Sequence, residues 1–282
     1  MKELYLQNLN QEDIHKIKKY NKLIFSNCFN QELFKIPDNI EEIIFGEYFN
    51  HPIHNNESSF LSSNLKSLKF GEYFNQSINI LPNIESIIFG SKFNQTVNNL
   101  PNSIKKIIFG CHFDQQVDNL PIGIEEITFG TKFNQYVDFI PNTTKKLIFG
   151  AFFDKQVDNL PQSIEYLDLG FSFNQPINNL PTNLKKLIVG YLFNNTLDNL
   201  PDSIEILILK NYNNWNCIFN KKINKIPKNL KSIFISEDYL YLSELRKNFP
   251  NLEIITSRES NNYTNYIFFS LFCFSLLLFN FI

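Results

Sequence analysis

The sequence predicts a repeat solenoid, mostly β, with one short strand in each coil of about twenty residues and little helix outside the two ends. Three observations predict it. First, the stretch FNQTVNNLPNSIKKIIFG, residues 93–110, is re-spelled as FDQQVDNLPIGIEEITFG from Phe113, FNQYVDFIPNTTKKLIFG from Phe133, FDKQVDNLPQSIEYLDLG from Phe153 and FNQPINNLPTNLKKLIVG from Phe173. Second, glycine and proline recur at fixed phases, so they punctuate coils rather than form linkers. Third, the residue after the first core position reads Glu41, Lys66, Glu85, Lys105, Glu125, Lys145, Glu165, Lys185, Glu205, Lys231. The sign alternates at every coil. Strands about 4.8 Å apart would bring opposite charges side by side, which disfavours register slips.

The elements follow in chain order. Residues 1–28 form an N-terminal cap and first strand. Ile14 and Ile17 stand at helical spacing, and Leu23-Ile24-Phe25-Ser26 is the strand. A polar cap is needed because an end coil otherwise leaves an open sheet edge. Residues 29–236 are the solenoid of about ten coils, opening at Phe29, Phe49, Phe74, Phe93, Phe113, Phe133, Phe153, Phe173, Phe193 and Phe219. Two intervals carry insertions, near residues 55–62 and 211–217, and the second holds the only Trp, Trp215. Insertions go to loops on one face of a solenoid, often the binding face; tolerated loop growth is the alternative. Residues 237–256 form a C-terminal cap with a short helix over 239–249 and a last strand at 252–256. Residues 257–265 are a polar linker, and 266–282 is an uncharged, Phe- and Leu-rich tail.

Within one coil, Lys106 to Phe109 should be extended, since Ile is β-branched and the run is too short for a helix. Alternation points Ile107 and Phe109 inward and Lys106 and Ile108 outward. Phe113, Val117, Leu120 and Ile104 complete the interior. Gly110 is expected to end the strand with positive φ, and Pro101 suits a bend where no ladder donor is needed. Asn or Asp follows each repeat Phe (Asn94, Asp114, Asn134, Asp154, Asn174, Asn194), where a short side chain can bond turn backbone of its own or the next coil. Asn fills the phase wherever Asp114 and Asp154 do not, so paired catalytic acids are not indicated.

The phrase L-P-x-x-I-x-x-I-x-F at residues 100–109 resembles the strand segment of a leucine-rich repeat. The phrase F-N-Q-x-[VI]-x-N-L-P resembles the FNIP repeat family, over roughly residues 29–236. That resemblance implies a leucine-rich-repeat-like solenoid used for protein contact, and no catalytic residues. The pattern departs at Phe49, where Leu-Pro is lost, and at Lys210, where Gly is missing, so distortion is expected there.

The outward strand column reads Ile44, Lys69, Ile88, Ile108, Thr128, Ile148, Asp168, Ile188, Ile208, Phe234. An apolar stripe on an exposed sheet face marks an interaction surface. The candidate protein-binding face is Ile88, Ile108, Ile148, Ile188 and Ile208, flanked by Lys106, Lys146, Tyr166 and Lys186. The alternative is that Ile satisfies strand propensity and stacks along the ladder. His51 and His54 in a loop, with no nearby Cys, fall short of a metal site. No catalytic residue, metal or cofactor is expected, and the chain is not expected to be an enzyme.

A formal charge of −2 argues against nucleic-acid binding. Cys28, Cys111, Cys217 and Cys273 form no CxxC pair and read as free thiols in a reducing compartment. The first residues lack the apolar core of a secretory signal. The 17 residues of the tail would span about 25 Å as a helix, which resembles a tail anchor with the solenoid in the cytosol. A soluble cytoplasmic protein is the alternative. The expected function is a non-enzymatic protein-binding scaffold or adaptor; the alternative is a structural repeat protein without a dedicated ligand.

Overall fold

A twenty-residue unit cannot bury a Phe ring, an Ile pair and a Val within itself, so each coil completes its interior against its neighbours. The structure is a computed structural model that describes residues 2–210 and 218–256. Trp215, Cys217, Cys273, the linker 257–265 and the tail 266–282 lie outside the described residues. The chain divides into two units, Met1–Gly130 and Thr131–Ile282. Each is a run of coils, and each strand comes from one coil.

In the first unit the strands are β1 Glu3–Leu6, β2 Lys22–Phe25, β3 Glu42–Ile44, β4 Ser67–Lys69, β5 Ser86–Ile88, β6 Lys106–Ile108 and β7 Glu126–Thr128. They pair in chain order, all parallel, with no crossover. Register is uniform: Ile87 lies opposite Ile107 and Ile88 opposite Ile108. Side chains of the middle strand residues Ile43, Leu68, Ile87, Ile107 and Ile127 are fully buried, and the residues on either side are half-exposed. The predicted alternation therefore holds.

Two columns of rings fill this unit. Phe45, Phe70, Phe89 and Phe109 stack at 5.6–5.8 Å between centroids. Phe49, Phe74, Phe93 and Phe113 stack at 5.9–6.2 Å. Within a coil the two columns meet, as at Phe89 and Phe93, 3.9 Å apart. Burying each ring stabilises the fold by about 1.5–3 kcal/mol.

Glycine's role differs from the expectation. A Cβ at Gly110 would lie 1.9 Å from the carbonyl oxygen of Gly90, and one at Gly90 would lie 1.8 Å from that of Gly71. Close approach of successive coils, not positive φ, demands Gly here; among the glycines of the described residues only Gly170 has positive φ, at 76°. Two i→i+3 bonds shape the coil: Phe113 N–H donates to the Gly110 carbonyl at 3.3 Å, and Ile104 N–H to the Pro101 carbonyl at 3.2 Å.

The Asn phase joins coil to coil. Backbone N–H of Asn50, Asn75, Asn94 and Asp114 each donates to the side-chain oxygen of Asn30, Asn50, Asn75 and Asn94 respectively, at 2.9 Å. The amides of Gln76, Gln95 and Gln115 donate to the same oxygens at 3.1 Å. One acceptor thus satisfies two donors of the following coil.

The first insertion folds as a small antiparallel turn, with a bridge between His54 and Ser59. Asn55 Oδ1 accepts from the N–H groups of Glu57 and Ser58 at 2.9 and 2.7 Å. Ile53 and Leu61 stay buried on either side, so Leu61 replaces the missing Leu of the Leu-Pro pair. The distortion expected at this coil is confined to the loop. The N-terminal cap contains α1 Ile14–Ile17 and, unforeseen, β1, whose Leu4 and Leu6 are buried against β2.

In the second unit the strands are β8 Lys146–Ile148, β9 Tyr166–Asp168, β10 Lys186–Val189, β11 Ile206–Leu209, β12 Ser232–Ile235 and β13 Glu253–Thr256, again parallel in chain order. The helix α2 Leu242–Asn248 precedes β13. Phe153, Phe173, Phe193 and Phe219 stack at 6.0–6.2 Å. The other column changes from Phe149 to Leu169, Val189 and Leu209, all buried. The ladder recurs: N–H groups of Asp154, Asn174, Asn194 and Asn220 donate to Asn134, Asp154, Asn174 and Asn194 at 2.8–3.0 Å.

Candidate functional site

Strand register decides which outward residues are neighbours. In the first unit the column runs Ile44, Lys69, Ile88, Ile108, Thr128, one residue per strand. All five are half-exposed. Ile88 and Ile108 sit side by side, and Lys106, two residues before Ile108 on β6, reaches Glu126 at 3.2 Å. This part of the candidate face is a shallow apolar stripe bordered by a neutralised charge pair.

The second unit arranges its part differently. Ile148, Asp168, Ile188 and Ile208 are register partners in that order. Ile148 is half-exposed, but Ile188 and Ile208 are each only 6% exposed. Alternation alone would leave both in solvent. Part of the cover comes from Lys210. Its Nζ lies 2.8 and 3.0 Å from the two carboxylate oxygens of Asp168, two coils back. The side chain must therefore cross β10, the strand that carries Ile188. Asp168 Oδ1 also accepts from the N–H of Gly170 at 3.0 Å. Side-chain exposure is 8% for Lys210 and 4% for Asp168, so this is a buried ion pair.

Lys210 stands at the glycine phase, where a Cβ on the usual path would strike the preceding coil: at Gly190 it would lie 1.7 Å from the carbonyl oxygen of Gly170. β10 and β11 are each one residue longer than β9, through Val189 and Leu209, and Lys210 N–H donates to the Val189 carbonyl at 3.0 Å. Sequence reasoning missed the pair. The signal was two exceptions in adjacent columns: an acid within an Ile column and a Lys within a Gly column.

Beside this pair, Lys146, Tyr166 and Lys186 are register partners at the first outward position of β8, β9 and β10. Both ammonium groups lie against the ring of Tyr166, at 5.5 Å for Lys146 and 5.3 Å for Lys186. That is cation–π range. Burial, reinforced by the charge of Asp168, pushes the Tyr166 hydroxyl up to about 12, so it is a neutral donor at physiological pH. Burial lowers the pKa of Lys186, with Asp168 opposing and Lys146 adding to the shift.

The alternating charge column forms discrete pairs. Lys66 meets Glu41 at 2.9 Å and Lys105 meets Glu125 at 3.9 Å in the first unit. Lys185 meets Glu165 at 2.7 Å, and Lys231 meets Glu205, in the second. There a shallow groove of about 490 Å³ runs along Lys145, Glu165, Lys185 and Glu205, with Ser163 and Ser203 between them. Both serine hydroxyls donate to backbone carbonyls at 2.7 Å, of Thr144 and Leu184. The groove is thus lined by groups already engaged in holding coils together. Cys28 and Cys111 are free thiols. Among the described residues, no three His, Cys, Asp or Glu side chains gather as a metal site, and no helix is long and apolar enough to cross a membrane.

The FNIP Repeat family matches the chain at residues 54–92, 79–112, 113–152, 153–192 and 173–212. These segments run without a gap over more than half of the chain. A solved crystal structure, CroV588, described as a novel circular LRR protein structure, is similar at a TM-score of 0.71 and 36% identity. The likeness covers 78% of this chain and 34% of that one. The present chain therefore spans about a third of the length of that protein. No curated protein matches. Repeat phase, coil geometry and family match agree, and the chain belongs to the FNIP repeat family.

Proposed function

We propose that this protein is a non-enzymatic protein-binding scaffold or adaptor that takes its partner on the outward strand face. The observation that carries the reading is that each unit sets half-exposed Ile side chains on its outward strand face. Ile88 and Ile108 in the first unit, and Ile148 in the second, stand where a solvated strand face carries polar side chains. Solenoids use such faces for binding. Lys106 flanks the Ile positions of the first unit, and Lys146, Tyr166 and Lys186 flank Ile148 and the packed Ile188 and Ile208 of the second. The Asn and Asp ladder and the Ser163 and Ser203 hydroxyls bond between coils, which favours a non-enzymatic reading.

The apolar, uncharged residues 266–282 favour attachment of the scaffold to an intracellular membrane by its C-terminal tail. Partitioning of the full chain into membrane pellets through high-salt and alkaline washing, lost on deleting 266–282, supports attachment; full solubility ends it. The binding reading is tested by affinity capture with the full chain against the Ile108→Glu/Ile148→Glu variant. Loss of partners, with the circular dichroism spectrum and melting temperature retained, supports it. Capture unchanged by the substitutions removes it.

A further inference from the structure

We propose that the strand face of the second unit takes an acidic segment of a partner protein, its carboxylates meeting Lys146 and Lys186 on either side of Tyr166. The inference deepens the protein-binding reading and rests on it.

The starting point is how lysines are treated elsewhere in the repeat. Several lysines of the repeat pair with a carboxylate at the same phase of a neighbouring coil: Lys106 with Glu126, Lys66 with Glu41, Lys185 with Glu165. Between Lys146 and Lys186 the same phase holds Tyr166. Among the described residues neither lysine has a carboxylate within ion-pair distance. The one acid on β8 to β11 that faces outward, Asp168, is already held by Lys210 and by the Gly170 N–H. Lys210 thus neutralises the one outward acid of these four strands and leaves Lys146 and Lys186 as cations on their face.

Those cations are placed to act together. Strands two apart lie about 9.6 Å from each other, and one aromatic ring spans the gap with an ammonium against each side. Lys186 is half-exposed, and burial together with the charge of Lys146 disfavours its ammonium form. A carboxylate brought to that spot relieves a penalty the folded chain already carries, so it gains more than it would at a fully solvated lysine. The Tyr166 hydroxyl, neutral and a hydrogen-bond donor, suits a carboxylate for the same reason. Ile148, next along β8, offers the apolar contact that lets a peptide lie across the face.

The test uses the full chain in mild detergent and two fluorescein-labelled peptides, one repeating Glu-Glu-Ser-Leu and one repeating Gln-Gln-Ser-Leu, read by fluorescence anisotropy at low salt. The Glu peptide should bind about tenfold tighter than the Gln peptide or better. The preference should disappear in the Lys146→Gln/Lys186→Gln variant and persist in Lys132→Gln/Lys155→Gln, which removes two lysines of the same unit outside its strands. Equal binding of the two peptides, no binding of the Glu peptide, or a preference that survives Lys146→Gln/Lys186→Gln overturns the proposal. Equal binding that falls in Ile148→Glu removes only the acidic preference and leaves the protein-binding reading standing; loss of that reading is judged by the capture experiment alone.

Discussion

Lys210 Nζ lies 2.8 Å from Asp168 Oδ2 although 42 residues separate them in sequence. The pair bridges two coils of the second unit with β10 between, and both side chains are more than nine-tenths buried. A buried pair is costly to desolvate, so its removal as a unit should cost far less than its disruption. Lys210→Met alone strands the Asp168 carboxylate and should cost about 3–5 kcal/mol in urea unfolding. Asp168→Leu/Lys210→Met should recover most of that loss. Equal destabilisation by the single and double variants would show that the pair is not the source of the cost.

Gly110 tests the close approach of coils. Its substitution by Ala places a methyl 1.9 Å from the Gly90 carbonyl oxygen, which is backbone and cannot rotate away. The coils must part, at a cost of about 3 kcal/mol or more. Gly110→Ala should lower the denaturation midpoint sharply; a shift within experimental error would refute the packing account.

Asn94 tests the ladder. Its side-chain oxygen accepts from the Asp114 N–H at 2.9 Å and from Gln115 Nε2 at 3.1 Å. Asn94→Ala leaves both without that acceptor and should cost about 1–3 kcal/mol. Asn94→Asp keeps the oxygen, as Asp154 does naturally toward Asn174 at 2.9 Å. It should fold at near wild-type stability, and an Asp variant as damaged as the Ala variant would contradict the assignment.

Much of this was legible in the sequence because a repeat exposes its own rules. The Ile and Phe phases fixed inside from outside, and Asn at the position after Phe pointed to backbone bonding between coils. What was not legible depended on departures from the repeat. β1 is only four residues, Glu-Leu-Tyr-Leu, outside the repeat phase, and its pairing with Lys22–Phe25 is a tertiary choice. Lys210 and Asp168 each looked like a local exception; only the stacking of coils makes them partners. Gly110 was recognised as obligatory, but the reason lies in the Gly90 carbonyl one coil away, which no local turn rule contains. On the candidate face, alternation predicted half-exposure for Ile188 as for Ile108, and failed where Lys210 crosses β10.

Acid should loosen the coils. Glu165 is held below its ordinary value of 4.5 by Lys185, and Glu205 by Lys231. Asp38 is held below 3.8 by the Ser63 N–H, and Asp202 by Lys228. A carboxyl with a depressed folded pKa contributes stability that is present above its unfolded value and lost as pH falls through the folded one. Melting temperature should therefore hold near neutrality and fall as pH drops below about 4.5. Glu165→Gln/Glu205→Gln should flatten that fall; an unchanged slope would exclude these pairs as its cause.

Lys186 carries the opposite sign. Burial lowers its pKa in the folded state, so its charge opposes folding until pH rises through that lowered value. Lys186→Met should leave stability unchanged or raise it while weakening acidic-peptide binding. A loss of stability would show that the contact with Tyr166 outweighs the burial of the charge.

Hydrogen exchange resolved to single amides tests the stacking of equivalent coils most directly. The N–H groups of Asn50, Asn75, Asn94 and Asp114 in the first unit, and of Asp154, Asn174 and Asn194 in the second, lie outside every strand, yet each donates to the coil before it. The account predicts that all seven exchange as slowly as the strand amides of their unit. Exchange at the rate of an open loop at these positions would contradict it.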